Sequence, residues 1–285
     1  MITVTTRSEL HEALASARSA TSRIGLVPTM GFLHEGHLSL IDRARQDAQF
    51  IVMSLFVNPL QFGPGEDFER YPRDAERDAM LAQQRGVDVL FAPAVTEMYP
   101  DGEPGTFVEA PGLDDRLCGA FRPGHFRGVL TVVAKLLNLV RPDIAVFGRK
   151  DLQQLVLIQR MVRDLEFRTT IEGATIVREQ DGLALSSRNV YLSAEERTQA
   201  TLLRRSLLDA SEAFAAGIQD GAELVRRVRG RLADGALVRP QYVELVDAES
   251  LENVPIAAAG DVLAIAAHVG TTRLIDNIVL GEKPD

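Results

Sequence analysis

The feature that most constrains this chain is an alternation. Short, continuous apolar runs at 24–27, 50–56, 87–91 and 143–147 are separated by stretches whose apolar residues recur at helical spacing, at 38–46, 74–85 and 129–140. Apolar runs of that length suit strands buried on both faces of a parallel sheet. A helix over 9–18, capped by Ser8, is expected ahead of them, and another over 152–162 behind. The pattern predicts a doubly wound, Rossmann-like parallel α/β sheet. Segment 169–182 reads as a strand followed by a turn. Beyond it the order changes: Ser193 caps a helix over 196–216, a second helix covers 222–232, and strands follow at 241–246, 262–267 and 272–280. Helices followed by strands predict a smaller C-terminal α+β domain. The expected division is a first domain over 1–176 and a second over 184–285, the second closing over the active site.

Ligands of such sheets bind beyond the carboxyl ends of the strands. There the chain carries Pro28-Thr29-Met30-Gly31-Phe32-Leu33-His34-Glu35-Gly36-His37, between the 24–27 strand and the 38–46 helix. A strand, a glycine turn and a helix start form an anion cradle, since free backbone amides and the positive end of the helix dipole meet there. His34 and His37, three residues apart, would face one side of it. Lys150 stands at a second strand-to-helix junction, where an ammonium reaches phosphate as a point charge; alone, it would read as a solvent-facing lysine. Ser186, Ser187 and Arg188 add two hydroxyls and a guanidinium in a third loop after Asp181-Gly182. Three such loops suit a nucleoside triphosphate that is clamped and then split. Met30, Asn58 and Gly148 all fall just past expected strand ends. The 63–67 loop reads either as a mobile flap or as a rigid turn.

These residues closely resemble the pantothenate synthetase (pantoate–β-alanine ligase) family of the His-x-Gly-His nucleotidyltransferase superfamily. The resemblance rests on the segments at 28–37, Phe-Val-Asn-Pro-Leu-Gln-Phe-Gly at 56–63, Arg-Pro-Gly-His-Phe-Arg-Gly at 122–128, Phe-Gly-Arg-Lys-Asp-Leu-Gln-Gln at 147–154, and Val-Arg-Glu-Gln-Asp-Gly-Leu-Ala-Leu-Ser-Ser-Arg-Asn at 177–189. It implies condensation of (R)-pantoate with β-alanine at the expense of ATP, through a pantoyl adenylate. It also implies ATP contacts from Met30, Gly31, Phe32, Leu33, His34, Glu35, Gly36 and His37, from Gly148, Arg149, Lys150 and Asp151, from the backbone of Val177, and from Leu185, Ser186, Ser187 and Arg188. His37, with His34 and Lys150, would be catalytic, and Gln61 and Gln154 would hold pantoate. Mg²⁺ carried with ATP and a homodimer are implied as well. Arg149 and Leu185 depart from the Glu or Gln, and the Met, that the family often has; both positions are expected to act through backbone or packing.

The chemistry asks for these residue types independently. A carboxylate is a poor electrophile and must be activated before an amine attacks it. Adenylation builds charge on phosphate, which positioned cations and N–H donors stabilise. No enzyme nucleophile is needed, and Cys118, the only cysteine, has no activating motif around it. Pantoate's gem-dimethyl group needs an apolar wall, for which Val129, Val132 and Val133 are candidates, equally readable as core valines. The net charge of −9 excludes a nucleic-acid partner as the expectation. One cysteine, no signal-like N-terminus and no apolar stretch near the ~20 residues a membrane helix needs predict a cytoplasmic protein with no membrane partner. Two other readings stay open: a plain nucleotidyltransferase and a non-catalytic nucleotide-binding regulator. Gln61 and Gln154 argue against the first; His37, Lys150 and Arg188 together argue against the second.

Overall fold

The computed structural model describes residues 1–20 and 22–283, which form two compact units: 1–115 with 119–149 and 154–174, and 175–283 with 116–118 and 150–153. In chain order the elements are β1 (Ile2–Val4), α1 (Arg7–Ser19), β2 (Ile24–Thr29), α2 (Glu35–Arg45), β3 (Phe50–Leu55), α3 (Ala75–Gln84), β4 (Val89–Phe91), α4 (Val95–Met98), α5 (Leu117–Phe121), α6 (His125–Val140), β5 (Ile144–Gly148), α7 (Leu152–Asp164) and β6 (Thr170–Ala174). They continue with α8 (Ala194–Ala215), α9 (Gly221–Leu232), β7 (Val238–Val246), β8 (Val262–Val269) and β9 (Thr272–Val279).

The first unit is built on a six-stranded, all-parallel sheet in the order β1-β4-β3-β2-β5-β6, flanked by helices. Its central strands are apolar throughout because both faces are covered: Leu26, Val27, Ile51, Val52, Met53, Ala145 and Val146 have no exposed surface. β2 lies between β3 and β5, where the strand order reverses, and such crevices are where ligands sit in open α/β sheets. The second unit carries a three-stranded antiparallel sheet, β7-β8-β9, whose apolar residues pack with Leu203, Leu207, Leu224 and Val228 of α8 and α9. A doubly wound parallel sheet with a smaller α+β domain is therefore what the chain forms.

Element starts differ from the sequence reading where capping decided them. Thr6, not Ser8, caps α1: its hydroxyl accepts the Glu9 amide at 3.2 Å, and Glu9 returns to the Thr6 amide at 3.0 Å. Ser193 caps α8 as expected. α2 begins at Glu35 and α6 at His125, each several residues earlier than its apolar repeat: the first turn of α2 is polar, and in α6 Phe126 stands alone among His125, Arg127 and Gly128. β1 is a three-residue strand at the sheet edge, too short to show a pattern. Among the described residues no helix is long and apolar enough to cross a membrane.

Candidate active site

β2 ends at Thr29, and the chain then turns through Met30–Leu33 into α2. Gly31 has φ +89°, and a Cβ there would lie 2.9 Å from Asp78 Oδ2. Phe32 also takes a left-handed conformation, φ +51°. What holds this strained turn is Asp78 on α3, only 2% exposed, whose two carboxylate oxygens accept the amides of Phe32 and Leu33 at 2.7 Å each. Arg77 donates to the Leu33 carbonyl at 3.0 Å and lies over the Phe32 ring. Burial pushes the Asp78 carboxyl above its usual range, against the two amides and the Arg77 charge. This corrects the expectation of a turn with free amides. Those of Phe32 and Leu33 are already engaged by Asp78, while the amides of Glu35 and Gly36, in the first turn of α2, have no intrahelical partner.

His34 is the N-cap of α2, and His37 stands on its first turn. Their rings are 4.1 Å apart, centroid to centroid, so the structure brings the two together as expected. The His34 amide donates to His37 Nδ1 at 3.4 Å. A neutral His37 with Nδ1 as acceptor carries its proton on Nε2, as a donor. Glu35 turns away into an ion pair with Arg85, which also holds Asp42.

Gln61 lies on a short 3₁₀ turn, Pro59–Gln61, capped by Asn58. Its amide nitrogen is 3.1 Å from Met30 Sδ, which places it against the phosphate turn. Asn58, 1% exposed, donates to Gln61 Oε1 at 3.1 Å and to the Gly128 carbonyl at 3.0 Å, and accepts the Tyr99 hydroxyl at 2.8 Å. A Cβ on Gly128 would fall 2.3 Å from the Leu60 carbonyl, so only glycine lets α6 approach this closely. The 63–67 loop is tied down. Glu66 takes Arg122 in a two-point pair at 2.7 and 2.6 Å and accepts the Gly63 amide, while His125 Nδ1 is 2.8 Å from the Gln61 carbonyl. The rigid-turn reading of this loop fits those bonds. Val129, Val132 and Val133 are at most 6% exposed and sit in the core. Gln154 lies on the first turn of α7.

Gly148 closes β5, and Arg149–Asp151 form one 3₁₀ turn before α7, so Lys150 stands at a strand-to-helix junction. Its carbonyl accepts from Asn277 of β9 at 3.0 Å. Next to Asn277, Asp276 pairs with Arg178 at 2.9 and 3.1 Å; both side chains are more than nine-tenths buried. Arg178 opens a hairpin in which the Leu185 amide donates to the Val177 carbonyl at 3.0 Å. The turn at Asp181–Gly182 leads back to Ser186, which caps the 3₁₀ turn Ser187–Tyr191 by accepting the Arg188 amide. The Leu185 amide is held within the hairpin, and Arg149 packs its aliphatic stem where a Gly173 side chain would stand. Sequence reasoning missed Asp78, Tyr99, Asp276 and Asn277, which support the motif residues from elements carrying no motif.

The family model for pantoate-beta-alanine ligase matches residues 2–279. The chain belongs to the pantoate–β-alanine ligase family. It is 53% identical to the pantothenate synthetase of Moorella thermoacetica over 275 residues (96% of this chain, 97% of that one) and 50% identical to that of Acetivibrio thermocellus over 280 residues (98% and 99%). A crystal structure of the pantothenate synthetase from Thermus thermophilus superposes with a TM-score of 0.93 at 49% identity, covering 98% of this chain and 99% of that one. The ligase from Francisella tularensis, crystallised with beta-gamma ATP and β-alanine, gives 0.80 at 32% identity over all of both chains.

Proposed function

We propose that this chain joins (R)-pantoate to β-alanine, using ATP and releasing AMP and pyrophosphate, through a pantoyl adenylate. The observation that carries this reading is the contact between Gln61 and Met30. Adenylation needs the pantoate carboxylate beside the α-phosphate, and here the amide read as a pantoate contact touches the turn read as the ATP contact. In this mechanism the amides of Glu35 and Gly36 and the positive end of α2 hold phosphate, and His37 Nε2–H donates to it as negative charge builds. Lys150, Ser186, Ser187 and Arg188 add charge and donors, with Met30, Gly148, Arg149, Asp151 and the backbone of Val177 and Leu185 completing the ATP contacts. Gln61 and Gln154 orient pantoate. The unprotonated amine of β-alanine then attacks the mixed anhydride, the C–N bond forms as the acyl–phosphate bond breaks, and AMP leaves while the amine's proton passes to solvent.

Mg²⁺ carried with ATP would supply positive charge to the phosphates. No three His, Cys, Asp or Glu converge among the described residues, and both Asp78 oxygens are on amides, so the donors fit a metal held by phosphate oxygens and water. The reading places the enzyme in the cytoplasm as a homodimer, which light scattering tests. Pantoate-dependent ATP–pyrophosphate exchange tests the chemistry. Exchange that needs pantoate supports the reading; exchange indifferent to pantoate, or none, overturns it in favour of a plain nucleotidyltransferase or a binding protein.

A further inference from the structure

The geometry points to Tyr99 as a positioning residue that anchors Asn58 and, through it, holds the Gln61 amide with its nitrogen toward Met30. The argument starts from the Gly128 carbonyl, which can only accept. The atom of Asn58 facing it is therefore Nδ2, and the opposite atom, Oδ1, faces the Tyr99 hydroxyl 2.8 Å away. The second Nδ2 hydrogen goes to Gln61, so the Gln61 atom it meets is Oε1. The amide nitrogen of Gln61 then faces Met30 Sδ. A thioether is a weak acceptor, so that bond is readily exchanged for a substrate oxygen. The Gly128 carbonyl and the Leu60 amide set which way Asn58 faces, the Tyr99 hydroxyl anchors it there, and Gln61 is left with its nitrogen as the donor toward Met30. Tyr99 is 5% exposed and held by Phe56 and Lys135 on its ring, so its hydroxyl is a fixed anchor.

The proposal rests on the reading of Gln61 as a pantoate contact and deepens it. A donor-only amide recognises an oxygen acceptor, a carboxylate or hydroxyl oxygen of the hydroxy acid, and loses its grip when Asn58 is released. Tyr99→Phe removes one oxygen and leaves the ring packing intact. We expect the KM for pantoate to rise about fivefold to tenfold, as for loss of a partner to a buried polar group. KM for ATP should stay within about twofold, and discrimination against a pantoate analogue lacking one hydroxyl should fall. A purely structural role would lower Tm and leave the ratio of the two KM values and the discrimination unchanged; that result overturns the proposal. Gln61→Ala separates the two ideas. If it leaves KM for pantoate untouched, the substrate reading fails, and the orientation claim is decided without substrate by ¹⁵N-glutamine side-chain resonances. The pair of signals lost in Gln61→Ala should shift and broaden in Tyr99→Phe; unshifted signals overturn the proposal.

Discussion

Two side chains at the 30–37 turn divide its work. His37 Nδ1 accepts the His34 amide, which puts the proton of a neutral His37 ring on Nε2, the donor in the proposed adenylation step. His37→Ala should therefore cut pantoate-dependent pyrophosphate exchange by about 10²-fold or more, the usual cost of losing a general acid or a charge-stabilising donor. Exchange at the native rate in that variant would remove His37 from the adenylation step. Asp78 acts differently, touching no substrate in this reading but holding the conformation that presents the histidines. Asp78→Asn keeps the volume yet offers an NH₂ where the carboxylate accepted an amide, so one of the Phe32 and Leu33 amides loses its partner. A buried donor left unsatisfied costs about 1–3 kcal/mol. Exchange by Asp78→Asn should fall about tenfold or more per folded molecule, with the folded fraction followed by calorimetry. A variant that loses stability and keeps full exchange would show that the turn holds its shape without the carboxylate.

At the scale of elements, the 63–67 loop and α6 are linked by Glu66, Arg122 and His125 around the Gln61 carbonyl. Burial alone would raise the Glu66 carboxyl; the Arg122 guanidinium, the Gly63 amide and His125 hold it below its usual range. A carboxylate whose pKa is lower in the fold stabilises the fold fully above its unfolded pKa and loses that contribution as pH falls through the folded value. The loop should thus stay protected from amide exchange at neutral pH and open only below the ordinary glutamate pKa of about 4.3. Glu66→Gln should open it at pH 7. Equal protection in variant and native protein would assign the loop's order to backbone alone. The sequence made the parallel strands and the motif loops legible because periodicity and glycine turns are local signals. It left Asp78, Tyr99 and the first turns of α2 and α6 unread. Each of these acts through a partner 40 or more residues away or begins a helix ahead of its apolar repeat, and neither leaves a spacing to find.

For the whole molecule, Lys150, the lysine proposed to act in catalysis, stands where the two units' sequences meet. Lys150 follows β5 directly, yet residues 150–153 group with 175–283, and the Lys150 carbonyl is held by Asn277 near the far end of the chain. Gln153, 6% exposed, is likewise spent on the Cys118 amide and the Arg116 carbonyl. A fragment of residues 1–180 therefore contains Lys150 without the strand that supports it, and without the proposed contacts of Ser186, Ser187 and Arg188. We expect that fragment to bury its own sheet and to make no appreciable pantoyl adenylate. Asn277→Ala in the full chain probes this packing, since it keeps every proposed ATP contact and removes the bond to the Lys150 carbonyl. Loss of one donor to a partly buried carbonyl predicts a fall in exchange of about tenfold at most, well short of the near-complete loss expected for Lys150→Ala. Efficient pantoate-dependent pyrophosphate release by the fragment would show that Lys150 needs neither β9 nor the 185–188 loop.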